Sequence, residues 1–248
     1  MEVKDLIRLT KYYLLKPLGY KDYVPFIVLS RSRTGSNFLN SSLRSHPNVR
    51  VKGEHFGHLG GDSIEKRYGD VFGKQPRYIK AAGCKVFYYH PHHGDATELF
   101  SLLQKNRNLR VIHLKREDTL RSVLSWMIAR ENDTYVANSN RALMSADKKR
   151  VSVDPNELIE WIEKTLYWER WGDEFFSEHQ LLNISYEELT GDLNNTFQRV
   201  LEFLGLPEST PVTNLKRQNP EPVGDLISNW NEGREKLILA GYEKYIPE

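Results

Sequence analysis

The residues best suited to chemistry cluster first between Phe26 and Leu39, which read FIVLSRSRTGSNFL. An apolar run of strand length passes into Arg31, Ser32, Arg33, Thr34, Gly35, Ser36 and Asn37. A helix starts near Ser36, with Phe38, Leu39 and Leu43 facing inward. A strand feeding a helix this way aims backbone N–H groups and the positive helix end at one point, the carboxyl edge of a sheet. Gly35 lets the backbone come close to an anion, Ser36 can donate its hydroxyl, and Arg33 can grip a phosphate with two N–H bonds. The chemistry is anion binding. A nucleotide-triphosphatase loop needs an earlier glycine and a lysine directly after the later one. Neither is present here, which disfavours a metal-dependent NTPase.

A second cationic group follows in Val111 to Trp126, VIHLKREDTLRSVLSW. Arg116 stands just past a strand, and Ser125 lies within the next helix, with Ser122 the competing position if that helix is offset. Parallel strands share their carboxyl end, so this loop can face the same cleft as the first. The plainer alternative is a helix start in which Glu117 and Asp118 serve the dipole and Arg116 pairs with them. Two further groups could titrate in a cleft. Glu54 and His55 follow the short strand candidate Val49 to Lys52, and adjacent strand side chains point opposite ways, so at most one of them faces inward. His90, His92 and His93 hint at a metal but lack a matched second pair of ligands at zinc spacing, and read better as a turn lining a cleft. Lys85, on the strand before them, faces either a phosphate or a carboxylate.

Positioning these groups requires a sheet. Strand-length apolar runs occur at Phe26 to Leu29, Cys84 to Tyr89, Arg110 to Leu114 and Leu181 to Ser185, with helix-period segments between them. That alternation predicts an α/β protein with a parallel sheet covered on both faces. One helix is set by Leu193, Phe197, Val200, Leu201 and Leu204, ended by Gly205 and Pro207. Another starts with Asp154 as N-cap, Pro155 at its first position and Glu157 closing a capping box, and runs to about Phe176. A third carries Leu120, Val123, Leu124 and Met127 on one face. At the N-terminus, Leu6, Leu9, Tyr13 and Leu14 predict a packing helix. Residues 130–153 are polar and aperiodic and read as a long surface excursion or lid.

The chain has 248 residues, a net charge of +2, 39% hydrophobic and 27% charged residues. These values fit one globular domain over 1–248, with a helical extension over 1–23, and exclude a disordered chain. A near-zero net charge means any anion site must come from local clustering. The single cysteine, Cys84, makes a reducing, cytoplasmic setting the expectation. No run is long and apolar enough to span a bilayer, and no signal peptide is legible.

The run Arg33-Thr34-Gly35-Ser36-Asn37-Phe38-Leu39 resembles the 5′-phosphosulfate loop of sulfotransferases that use 3′-phosphoadenosine 5′-phosphosulfate (PAPS). The resemblance is closest to the bacterial carbohydrate group, including nodulation-factor and trehalose sulfotransferases. Arg116 and Ser125 are similar to that family's 3′-phosphate site. The stretch Ile184 to Pro207, ISYEELTGDLNNTFQRVLEFLGLP, resembles its structural strand and helix and is assigned no chemistry. The resemblance spans about residues 24 to 245. It implies a P-loop-like three-layer fold, a central parallel β-sheet flanked by helices.

The same resemblance implies that PAPS is the sulfuryl donor and that no metal is required. It makes Arg31, Arg33, Thr34, Gly35, Ser36, Asn37, Arg116 and Ser125 the cofactor contacts. Lys216 and Arg217 join them as a basic pair near the C-terminus, with an exposed basic turn as the alternative. Catalysis would fall to Arg33 and a base, Glu54 first and His55 second. The acceptor would be a small molecule or glycan, with no nucleic-acid partner. Two other readings stand beside it, a P-loop-like kinase and a non-catalytic nucleotide-binding module.

Overall fold

The computed structural model describes residues 3–132, 150–213, 215 and 221–246. Its centre is a five-stranded sheet: β1 (Val24–Ser30), β2 (Val49–Lys52), β3 (Ala81–Phe87), β4 (Arg110–Lys115) and β5 (Gln180–Ser185), in the order β2-β3-β1-β4-β5. All neighbours are parallel, with Phe26 opposite Gly83 on one side and Arg110 on the other. Side chains alternate along β1. Phe26 and Val28 pack with Leu39, Leu43, Phe197 and Leu201, from α2 (Ser36–Ser45) and α8 (Leu193–Phe203). Ile27 and Leu29 pack on the other face with Val71, Leu99 and Leu103, from α3 (Ile64–Phe72) and α4 (Ala96–Lys105). The result is a three-layer α/β fold whose cores lie above and below the sheet.

A third cluster lies beside the sheet. It joins α5 (Thr119–Glu131), α6 (Pro155–Phe175), α9 (Val223–Leu226) and α10 (Trp230–Leu239) through Leu124, Ile128, Ile162, Leu226 and Leu237. Residues 150–153 belong here rather than to a surface excursion. Val151 and Val153 are buried, the Val151 N–H donates to Leu226 O at 2.9 Å, and Asn229 binds both polar groups of Val153. The rest of the expected excursion, 133–149, lies outside the described residues.

Three other expectations need correction. β3 begins at Ala81, not Cys84, because the backbone comes so close at Gly83 that a Cβ there would lie 2.0 Å from Phe26 O. Small residues that score poorly as strand formers are required at that contact. The Asp154 cap forms, accepting from Asn156 N at 2.8 Å, but Glu157 binds Arg130 instead of closing a capping box. In α1 (Val3–Leu15) the expected packing face is largely exposed: Leu6, Tyr13 and Leu14 face solvent. The helix is held by the buried Tyr12, whose hydroxyl donates to Gln75 Oε1 at 2.9 Å, and by Arg8, whose guanidinium donates to Val49 O at 3.1 Å. Among the described residues, no helix is long and apolar enough to cross a membrane.

Strand order decides where a site can lie. β1 is central, so the loops after β1, β2, β3 and β4 all open at one carboxyl edge. That edge, where the connections diverge, is where open α/β sheets bind ligands.

Candidate active site

The loop after β1 turns sharply through two residues with positive φ, Arg33 at 68° and Gly35 at 86°. Gly35 is doubly constrained. Its backbone lies in the left-handed region, and a Cβ would meet Tyr186 Cδ2 at 2.5 Å. The turn places Gly35 as the residue before α2, with Ser36 and Asn37 in the helix's first turn beside a cavity of about 850 Å³. Thr34 serves the loop itself: it is buried, its hydroxyl donates to Arg31 O at 2.8 Å, and it does not line the cavity. Arg31 is buried between Trp126 and Trp161, 5.5 Å from each ring, with Nη1 donating to Ser122 O at 3.4 Å. Burial pushes the Arg31 guanidinium down to about 10.

The loop after β4 meets the first loop directly. Arg116 Nη1 donates to Arg33 O at 3.1 Å, and Arg33 Nε donates to Ser125 Oγ at 3.0 Å. The Arg33 side chain thus reaches across to the second loop. Burial, and then the neighbouring Arg116, hold it down to about 10. Both arginines stay charged near neutrality, so the pocket concentrates cation that a bound anion would relieve. Of the two serines left open by the sequence, Ser125 faces the cavity. Ser122 is fully buried against Arg31.

The pair Tyr186 and Glu187, in the segment read as structural and assigned no chemistry, braces both loops. The Tyr186 ring fills the space beside Gly35 and stacks under Arg116, with Cζ 4.5 Å from its centroid. Glu187 accepts the Glu117 N–H at 3.0 Å and lies 3.8 Å from Arg116 Nε. Asp118 is the N-cap of α5, accepting from Arg121 N at 2.9 Å. No local pattern marks this role for Tyr186 and Glu187, which start α7 (Tyr186–Gly191) and reach both loops only through the sheet.

Across the cavity stands Glu54. Its Oε1 pairs with Lys85 Nζ at 2.9 Å, and Lys85 also donates to Asn37 Oδ1 at 2.6 Å. Lys85 is almost fully buried, and burial lowers its pKa, opposed by the Glu54 charge. So Lys85 faces the carboxylate and the first turn of α2 at once. His55 turns away, its Nε2 3.2 Å from Lys52 Nζ and 3.6 Å from Asp70, and burial pushes it down to about 4. His55 is not part of the cavity lining. Glu54, His90 and His92 bring ligand-type atoms within 4.8 Å of one another. The His90 ring does not fit a metal, however. Its Nδ1 accepts the Phe87 N–H at 3.2 Å, which leaves the proton on Nε2, the atom facing Glu54.

The remaining wall is aromatic and basic: Phe87, Tyr89, Trp161 and Trp168, with Lys164 Nζ 4.7 Å from the Trp161 ring. Phe38, expected to face the core, is half-buried and lines the cavity as well. Arg121 adds a cation the sequence reading missed. Arg31, Arg33, Gly35, Ser36, Asn37, Glu54, Arg116 and Ser125 therefore converge on one cavity, while Thr34 and His55 stand outside it. Lys216 and Arg217 lie outside the described residues. Leu215, just before them, lines the cavity.

The parallel sheet, its order and the cationic loops at its carboxyl edge define a P-loop-like α/β protein. Residues 58–210 match the family model described as "Sulfotransferase family", and the chain belongs to that family. It is 26% identical over 239 residues to nodulation protein H of Rhizobium tropici, covering 89% of this chain and 92% of that protein. Nodulation protein H of Rhizobium meliloti (strain 1021) is 24% identical over 246 residues, covering 89% and 94%. Among solved structures, a sulfotransferase from Alicyclobacillus acidocaldarius shares the fold, with TM-score 0.52 and 15% identity over 89% of this chain and 91% of that one. The protein is a sulfotransferase, and the kinase-like and non-catalytic readings are set aside.

Proposed function

We propose that this sulfotransferase uses PAPS as donor and sulfates a hydroxyl of a carbohydrate or glycoconjugate, with Glu54 as the general base. The observation that carries the reading is convergence: two cationic loops and one carboxylate line a single cavity of about 850 Å³. The donor set fits a nucleoside with two anionic ends. Gly35, Ser36 and the N-terminal turn of α2 would hold the 5′ side, Arg116 and Ser125 the 3′-phosphate, and Arg33 would sit between them. When bound, PAPS supplies a sulfuryl group: the acceptor oxygen bonds to sulfur as the S–O bond to the 5′-phosphate breaks, and adenosine 3′,5′-bisphosphate leaves.

The chain's own part is positioning and charge. The helix end and arginines neutralise charge on the leaving phosphate, which suits a transfer needing little covalent help. Glu54 takes the acceptor's proton on its carboxylate. Lys85 holds Glu54 Oε1 and, through Asn37, ties the base to the donor loop. Phe87, Tyr89, Trp161 and Trp168 offer flat apolar faces on which a sugar ring can stack. The likeness of the Arg33 to Leu39 run to the bacterial carbohydrate group, and two relatives named nodulation protein H, support a glycan acceptor.

The test is transfer of labelled sulfuryl from PAPS to a glycan panel. Glu54→Gln should lower kcat by about 10² to 10⁴ while leaving bisphosphate affinity intact. Turnover at the wild-type rate in that variant would remove Glu54 as base. Calorimetric preference for ATP-magnesium over adenosine 3′,5′-bisphosphate would remove the donor assignment.

A further inference from the structure

His90 is wholly buried just past β3, and nothing in the proposed chemistry uses it. Its ring sits among Phe87, Tyr89 and His92, with centroids at 4.9, 6.0 and 5.1 Å. Its protonation is set by one contact. The Phe87 N–H can only donate, and it donates to Nδ1 at 3.2 Å. The neutral ring therefore carries its proton on Nε2. Burial, then the charges of its neighbours, push His90 down to about 3, so the ring is neutral wherever the enzyme works.

That Nε2–H is buried and has no hydrogen-bond partner among the described residues. A buried donor left unpaired is costly, and such groups call for an explanation. Gly57 closes one side, where a Cβ would lie 3.2 Å from Nε2. On the other side Glu54 Oε2 lies 3.9 Å away, on a side chain that is 39% exposed. The buried nitrogen is out of reach of a substrate, but the carboxylate is part-exposed and Lys85 holds it at the other oxygen, Oε1. A shift of about 1 Å brings Oε2 to hydrogen-bonding distance. A metal bridging Glu54, His90 and His92 would need a lone pair on Nε2, and that lone pair is absent.

We propose that His90 is a positioning residue for Glu54: Oε2 closes onto the His90 Nε2–H while Oε1 stays on Lys85, so that the carboxylate plane is fixed and its remaining lone pairs face the acceptor hydroxyl. This rests on Glu54 being the base. Each half of the device comes from a different part of the chain, the carboxylate from the end of β2 and both donors from β3 and the turn after it. The titratable groups facing Glu54 are Lys85, Tyr89, His90 and His92, with His58 behind His92.

Two substitutions separate donor from fold. His90→Asn keeps an acceptor for the Phe87 N–H but loses the distal donor. His90→Gln keeps a donor near Nε2 but loses the Phe87 contact. Steady-state kinetics with PAPS and an accepted glycan should show kcat about tenfold lower in His90→Asn, with KM for PAPS within twofold. His90→Gln should stay within about threefold of wild type, even where its melting temperature is lower. In a Glu54→Gln background His90→Asn should cost nothing further. Activity that follows stability instead of the distal donor, a change in KM for PAPS as large as that in kcat, or an additive loss in the double variant overturns the proposal. If His90→Asn does not fold, His90→Gln decides alone: a tenfold loss with intact bisphosphate binding overturns the role, and near-wild-type kcat supports it. A Glu54→Gln enzyme with unchanged kcat is a separate failure, of the base assignment itself.

Discussion

Around Gly35 and Arg116 the cavity is shaped by backbone: a left-handed turn, a helix end, and a strand end whose arginine donates to the carbonyl of Arg33. Around Glu54, His92 and Trp168 it is shaped by side chains that arrive from β2, the turn after β3, and α6. The first region takes its turn and helix end from a few residues of chain, which Arg116 and Tyr186 then lock from elsewhere in the sheet. The second depends on elements far apart in sequence being packed correctly. On the proposed function, the donor is placed on the first kind of wall and the acceptor on the second. This division gives each side a separate sensitivity to substitution.

Gly35→Ala should have the largest effect. It forces a Cβ into the left-handed region and against Tyr186 Cδ2 at 2.5 Å, which together cost about 2–4 kcal/mol by urea unfolding. A stable, fully active Gly35→Ala would mean that backbone does not shape the donor side. Arg116→Ala comes next, with bisphosphate affinity about 10- to 100-fold weaker by calorimetry and acceptor KM nearly unchanged. A parallel change in acceptor KM would dissolve the distinction between the two walls. Trp168→Ala should do the reverse, raising acceptor KM by about tenfold or less with bisphosphate affinity intact.

A last prediction bears on stability and not on either ligand: Glu169 lies on α6 beside Trp168 and is bonded to the Arg116 backbone, where the walls meet. Burial raises its carboxyl from 4.5 to about 7. The folded state thus keeps a proton that the unfolded chain loses near 4.5. Stability falls as pH rises through that interval and levels off above about 7. Glu169→Gln should flatten this slope, with a gain of order 1–3 kcal/mol at pH 8 and almost none at pH 4 in thermal unfolding. An unchanged slope would place the pH dependence elsewhere.

The same division explains what could be read from sequence. Strand β2 and the Gly35 turn are legible because their signals are local: alternating apolar residues in one, glycine between a strand and a helix in the other. The start of β3 was hidden because Ala81 and Ala82 give weak strand signals and Gly83 is there for its close approach to Phe26. Glu54 and His55 could not be ordered by strand alternation, since both lie past the strand in a turn where His55 N donates to Gly53 O at 2.8 Å. Tyr186 was missed because its partners, Gly35 and Arg116, reach it only through strand pairing. The α1 face was misjudged because Arg8 and Tyr12, two polar-tipped residues, do the anchoring there.

The junction of Arg33 and Ser125 joins positions 92 residues apart. Parallel pairing of β1 with β4 closes a loop of chain that holds β2 and β3. Contacts of such long loop closure are slow to form. A nucleotide that spans both loops recognises only the finished sheet, so by mass action it draws late or partly assembled chains toward the native state. On the proposed donor assignment, the nucleotide would then act on this protein as a folding ligand as well as a substrate.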